Sequence, residues 1–292
     1  MTVLTELGGP DTAPGIFDEL SKREVRRAAL SAVAVPGYQV PFGSREMPVA
    51  RGWGSGGLQV TLAVVGAGDR LKVIDQGEDA GVNAANLRRL VIGHVGCEEE
   101  TDARAATVTQ SRHRIPEEPM RADQVLVLQV PVPEPLRGLV LDMREQRRMH
   151  AEADYARMWV GLYEDIVRNG VITRSAGYPV LVEGRYVMSP SPIPRWDVPK
   201  LNGAAHLTLL GAGREKRIYA VPPHTRVEPL TFDDVPFEVE RTEGARCRHC
   251  GNDDAYLVEV PAADGTALWV CSDTDHCGRF RAGDTEMQGG HQ

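Results

Sequence analysis

Near the C-terminus four cysteines are spaced as metal ligands are: Cys247 and Cys250 in CRHC, Cys271, and Cys277 in CSDTDHC. Two residues separate the first pair, twenty the middle pair and five the last. A C-x-x-C turn holds two thiolates on one side of a tight loop, and a hairpin returns others to face them. Such a set suits a tetrahedral Zn²⁺ or an iron–sulfur cluster. The metal decides between a structural knuckle and a redox catalyst, and spacing alone leaves both open. His249 and His276 adjoin ligand cysteines, but four sulfurs already complete a set, so both read as supporting or surface residues.

With 42% hydrophobic and 25% charged residues, the 292-residue chain has the composition of a globular protein with ample core material. The formal net charge of −8 argues against nucleic acid as the main partner. No apolar run reaches the roughly 18 residues of a spanning helix, and MTVLTELGGPDTAPG lacks the pattern of a signal peptide. These features predict a cytoplasmic protein without a membrane partner. Cytosolic thiols stay reduced, which again favours metal ligation over disulfides. Cys97 stands alone and reads as a small buried hydrophobe.

Positioning the cysteines requires a body, and the pattern predicts an α+β fold. Residues 1–15 read as a flexible N-terminus, 16–136 and 171–243 as a mixed-sheet core, and 137–170 as a charged helical insertion suited to docking a partner. Residues 244–280 form the Cys₄ ribbon and 281–292 a flexible tail. Within the core, Ser21 and Glu24 fit a capping box opening a helix that Pro36 ends. LQVTLAVV (58–65) and LKVID (71–75) read as a hairpin. Asn83 reads as the cap of a helix running to about Val95, and 105–110 and 124–132 as strands. YPVLVEGRYVM reads as a hairpin turning at Glu183–Gly184. A further strand, the loop GAGREKR and the strand IYAV follow. In the ribbon, YLVEV and ALWV are short strands joined by Ala262–Gly265.

Other segments could carry chemistry. GWGSGG (52–57) is a flexible turn or an anion nest. RHRIPEEP contributes Arg112, His113 and Arg114, and GAGREKR contributes Arg214, Lys216 and Arg217. These are local cationic clusters suited to a phosphorylated ligand or to solvated surface. His113 could be a proton donor or a hydrogen-bonded loop residue. Serine-hydrolase, zinc-peptidase and Walker motifs are absent from the sequence.

Together the strings AVPGYQVPFGSREMP, GWGSGGLQV, LKVIDQG, RHRIPEEP, VPVPEPLR, LYEDI, GRYVMSPSPIP, GAGREKRIYAVPP and CSDTDHC, in this order, resemble subunit J of the bacterial carbon–phosphorus lyase core complex. The likeness runs from about Phe17 to about Cys277. It implies cleavage of the C–P bond of α-D-ribose 1-methylphosphonate 5-phosphate, giving α-D-ribose 1,2-cyclic phosphate 5-phosphate and methane in phosphonate catabolism. It also implies a [4Fe–4S] cluster on Cys247, Cys250 and Cys271 working with S-adenosylmethionine, a radical on Gly37 and a thiyl radical on Cys277. The implied partners are core subunits G, H and I and an ATP-binding-cassette-like subunit K. Glycine suits such a role because amide nitrogen and carbonyl both stabilise its α-radical, and cysteine because its S–H bond is weak. Aerobically prepared protein is expected to carry Zn²⁺ on all four sulfurs. The rival reading is a non-catalytic, zinc-stapled scaffold subunit, and a nucleic-acid-binding zinc ribbon is disfavoured by charge.

Overall fold

Helix α1 (Glu19–Ala34) opens the described chain, burying Val25, Ala28, Ala29 and Ala32 against the sheet while Leu20 stays exposed. The computed structural model describes residues 19–37, 40–42, 55–75, 79–112, 114–130, 142, 144, 180–187, 198–212, 217–229 and 244–283. The N-terminal fifteen residues, the tail after 283, and the expected insertion at 137–170 apart from Asp142 and Arg144 lie outside them. Because α1 is already helical at Glu19, Ser21 sits inside it and is not its cap. The C-terminal end falls where Pro36 requires it, since a proline disfavours helical geometry in the residue before it.

The expected hairpin at 58–75 is absent. Residues Ser55–Val64 form helix α2, and Arg70–Ile74 form strand β2, paired in parallel with its neighbours. Leu58, Gln59, Val60, Thr61 and Val64 are all nearly inaccessible. A segment buried on every side shows no helical periodicity, so a short apolar run rich in β-branched residues reads as a strand. Its first glycines serve packing: a Cβ on Gly57 would lie 2.7 Å from Cβ of Gln129, and one on Gly211 would lie 2.6 Å from the Gly56 carbonyl oxygen. Gly57 and Gly211 therefore let a helix lie close on the sheet, while Gly52, Trp53 and Gly54 lie outside the described residues.

Helix α3 (Val82–Val95) follows; its N-cap is Gly81, so Asn83 lies inside it, and Gly96 closes it in the left-handed conformation. The remaining strands of the body are β1 (Val40–Pro41), β3 (Glu98–Glu99), β4 (Val108–Arg112) and β5 (Val125–Val130). After them come the hairpin β6 (Val180–Val182) and β7 (Arg185–Val187), the short helix α4 (Val198–Leu201), β8 (Leu207–Ala212), β9 (Arg217–Val221) and β10 (Val227–Pro229). Seven strands form one sheet in the order β1-β9-β8-β5-β4-β2-β3. The run from β8 through β5, β4 and β2 to β3 is parallel, and β9 and β1 are antiparallel. The fold is α+β with a mixed sheet.

Alternation assigns the two sheet faces. Leu71, Val73, Val108, Val125, Val127 and Leu209 belong to one core cluster with α1, α2 and α3. Lys72, between Leu71 and Val73, therefore projects from the opposite face. The small sheet β10-β6-β7 turns at Glu183 and Gly184, both with positive φ, as the E–G turn predicts.

Candidate metal centre and active site

The two-stranded ribbon β11 (Leu257–Pro261) and β12 (Ala267–Cys271) carries Cys271 at its end. It is preceded by a knuckle: the Gly251 amide donates to the Cys247 carbonyl at 2.8 Å, with Gly251 at φ 78°. A final helix, α5 (Thr274–Ala282), carries Cys277; the side chain of Asp273 caps it by accepting from the His276 amide. The sequence reading did not anticipate α5, although its signals are present: Asp273 as N-cap, Asp275 in the first turn, arginines in the last turn, and Gly283 beyond.

These three elements bring all four sulfurs within 4.8 Å of one another. Cys247 Sγ lies 3.7 Å from Cys277 Sγ, and Cys250 Sγ lies 3.6 Å from Cys271 Sγ. A tetrahedral ion with metal–sulfur bonds near 2.3 Å puts its sulfurs about 3.8 Å apart. Four close, largely buried thiols of this spacing could hold a metal ion, and the 3.7 and 3.6 Å separations match the compact set around one ion. A cluster whose irons each take one cysteine would require the sulfurs to spread.

The thiols are unequal. Burial opposes ionisation of Cys247, but amides of Cys250, Cys271 and His249 outweigh it and lower the thiol to about 6. Burial, together with hydrogen bonds to Cys250 and Cys247, pushes Cys277 up to about 12, and burial drives Cys271 upward as well. Metal-free, the set resists carrying several thiolates together, which is the repulsion a bound cation would cancel. A cavity of about 240 Å³ opens onto Cys271 and Cys277, flanked by His249, Thr274, Gly278 and Arg281.

Body and cysteine module meet through buried charge. Glu117 accepts from the Tyr256 amide at 2.7 Å and pairs with Lys200 at 2.7 Å. Glu118 binds His276 Nδ1 at 2.8 Å and also Arg279. Burial alone would raise the Glu118 carboxyl, but hydrogen bonds from His276 and Arg279 bring it down to about 2. The RHRIPEEP cations are correspondingly engaged. Arg112 pairs with Asp75, and buried Arg114 lies 3.6 Å from Glu117 with its guanidinium 5.8 Å over the Tyr256 ring. Of the two readings, solvated surface does not hold at Arg112 and Arg114: Arg112 is paired inside the body and Arg114 is buried where body and module meet. His113, Arg214 and Lys216 lie outside the described residues.

Gly37 follows α1 with φ 69° and is buried; its amide donates to the Ala220 carbonyl of β9 at 2.9 Å. Four strand spacings, about 19 Å of sheet, lie between β9, whose Ala220 carbonyl takes the Gly37 amide, and β2, whose Lys72 pairs with Asp273. Cys97 is buried, and burial lifts its thiol to about 11, matching an inert core residue. Among the described residues no helix is long and apolar enough to cross a membrane.

Comparison with known proteins gives the lineage. The chain is 54% identical over 267 residues to a Rhizobium meliloti protein named alpha-D-ribose 1-methylphosphonate 5-phosphate C-P-lyase, covering 91% of this chain and 90% of that one. It is 55% identical over 264 residues to a protein of the same activity name from Escherichia coli, covering 89% and 93%. The family model described as phosphonate metabolism protein PhnJ matches residues 12–282, which include Gly37 and all four cysteines. The chain belongs to the PhnJ family of phosphonate metabolism proteins.

Proposed function

We propose that this chain is a carbon–phosphorus lyase acting on α-D-ribose 1-methylphosphonate 5-phosphate. The observation that carries this reading is identity above half, over about nine tenths of the chain, to two relatives bearing that activity name. The buried sulfur set beside an open cavity supports it. An alkyl–phosphorus bond offers no good leaving group for hydrolysis, so breaking it homolytically is the chemically reasonable route.

Cys247, Cys250 and Cys271 are the residues that would hold a [4Fe–4S] cluster, which with S-adenosylmethionine supplies a one-electron reduction and a carbon radical when bound. Gly37 gives up a Cα hydrogen atom and then recovers one from the Cys277 S–H. The Cys277 sulfur bonds to phosphorus as the C–P bond breaks, one electron leaving with the methyl group. Methyl takes the Gly37 hydrogen, giving methane. The ribose 2-hydroxyl displaces sulfur to close the cyclic phosphate, and Cys277 regains its proton.

His113 is proposed as a proton donor, and the charged segment 137–170 as the dock for an ATP-binding-cassette-like subunit, with core subunits G, H and I completing the assembly. The chain works in the reducing cytoplasm on this reading. The compact sulfur spacing favours a second state, with Zn²⁺ on all four cysteines in air-exposed protein. That spacing is also what a zinc-stapled scaffold would show. Anaerobic iron–sulfide reconstitution separates the two: the lyase gains a cluster and cleaves S-adenosylmethionine on reduction, whereas a scaffold keeps one redox-inert ion and does neither.

A further inference from the structure

Lys72 sits in the middle of β2 with 1% of its side chain exposed, on the sheet face away from the helices. A buried ammonium requires partners. It donates to the Thr101 carbonyl, lies 3.2 Å from Asp273 and lies 3.7 Å from Asp79. Asp273 is fully buried and Asp79 nearly so.

Both carboxylates act on the five residues linking Cys271 to Cys277. The Asp79 amide donates to the Ser272 carbonyl at 2.8 Å. Its carboxylate accepts from the Thr274 amide at 2.9 Å and the Thr274 hydroxyl at 2.7 Å. Asp273 caps α5, and its carbonyl accepts from the Cys277 amide at 3.0 Å. Residues 272–274 are therefore gripped from both sides, and the direction in which α5 presents Cys277 is set from the sheet. Among the described residues Lys72 pairs with both carboxylates while Arg88 donates to the Asp79 carbonyl at 2.7 Å, and the positive end of α5 offsets the remaining excess. The remaining ligands, Cys247 and Cys250, lie in the knuckle, where the Gly251 amide donates to the Cys247 carbonyl and the Cys271 amide to Cys247 Sγ.

We propose that Lys72, Asp79 and Asp273 form a clamp that positions Cys277 against the other three cysteines, resting on the reading above that Cys277 is the reacting sulfur. Lys72 is a positioning residue: it acts through Asp273 and Asp79 and touches no sulfur. Without it, two carboxylates remain buried without their cation, and α5 loses one tie of its first turn to the body, leaving those of Asp79 to Thr274 and Glu118 to His276. The knuckle and ribbon retain their own hydrogen bonds, so three cysteines stay in place while the fourth is less restrained.

Full-length protein loaded with Co²⁺ tests this. In Lys72→Met, iodoacetamide should label Cys277 about tenfold faster or more than in wild type, the equivalent of about 1.4 kcal/mol of lost restraint. Cys247, Cys250 and Cys271 should remain protected, and the sulfur-to-cobalt charge-transfer band should fall by one thiolate's contribution. A folded Lys72→Met with wild-type labelling and an unchanged spectrum overturns the clamp. Should that variant not fold, Thr274→Val decides, since it removes only the hydroxyl held by Asp79: faster labelling of Cys277 supports the clamp and a wild-type rate overturns it. Failure of the catalytic reading appears elsewhere, as undiminished alkane release from Cys277→Ala, and leaves the labelling result intact.

Discussion

Replacing Gly37 with alanine separates a structural need for glycine from a chemical one. At φ 69°, an L side chain costs about 1–2 kcal/mol. A Cβ there would meet Val182 Cβ at 3.1 Å, its carbonyl oxygen at 3.2 Å and its Cγ1 at 3.3 Å, so β6 must give by a few tenths of an ångström. Crowding of this kind adds up to about 1 kcal/mol, at the mild end of overpacking. Alanine also restrains the unfolded chain, returning about 0.4–1 kcal/mol. The net loss is about 1–2 kcal/mol, read as a lowered midpoint in urea unfolding with unchanged slope. Such a loss leaves a folded protein whose cysteine module, across the sheet, binds metal normally. Trimming Val182 to alanine in the same background should recover the crowding part but not the backbone part. Wild-type stability in Gly37→Ala would refute the conformational reasoning. A folded, metal-loaded Gly37→Ala that still releases alkane would refute the radical assignment.

Two further outcomes follow from the site and the sheet. His206 is buried, neither ring nitrogen has a hydrogen-bond partner among the described residues, and burial lowers its pKa from 6.5 to about 4. Its neutral form is favoured in the fold, so its contribution is full above pH 6.5 and is lost as pH falls from 6.5 towards 4. The loss amounts to at most about 3 kcal/mol, and His206→Leu should flatten that part of the stability–pH curve. Stripping the metal with a chelator should collapse the ribbon, because two strands alone are marginal and structural Zn²⁺ binding supplies about 10–16 kcal/mol to comparable modules. Amide exchange should then rise in residues 244–283 while β4, β5 and β8 stay protected; protection persisting in the ribbon would contradict this.

Local chemistry was legible where it acts locally. The cysteine spacing carried the sulfur set and its ribbon, and Glu183–Gly184 carried its hairpin, because both depend on neighbouring residues. Leu58–Val64 misled because burial on all sides erases the periodicity that distinguishes a helix from a strand. The parallel register of β2, β4, β5 and β8 joins distant segments and leaves no local mark. For the same reason the sequence left Arg112 and Arg114 open between phosphate ligands and solvated surface, and did not show the carboxylates that the fold brings to them. Lys72 in the apolar run LKVI was the missed signal: a lysine facing a protein interior demands carboxylates from elsewhere. Gly37 was legible only through the family resemblance, since its positive φ depends on β6 and β9.

Electron paramagnetic resonance on the anaerobically reconstituted assembly, reduced with S-adenosylmethionine and substrate, tests the account most directly. It predicts a glycine-centred radical whose hydrogen splitting disappears when Gly37 carries deuterium, accompanied by methane that Cys277→Ala does not produce. Methane formed at the full rate by Cys277→Ala, or without any protein radical, would contradict it.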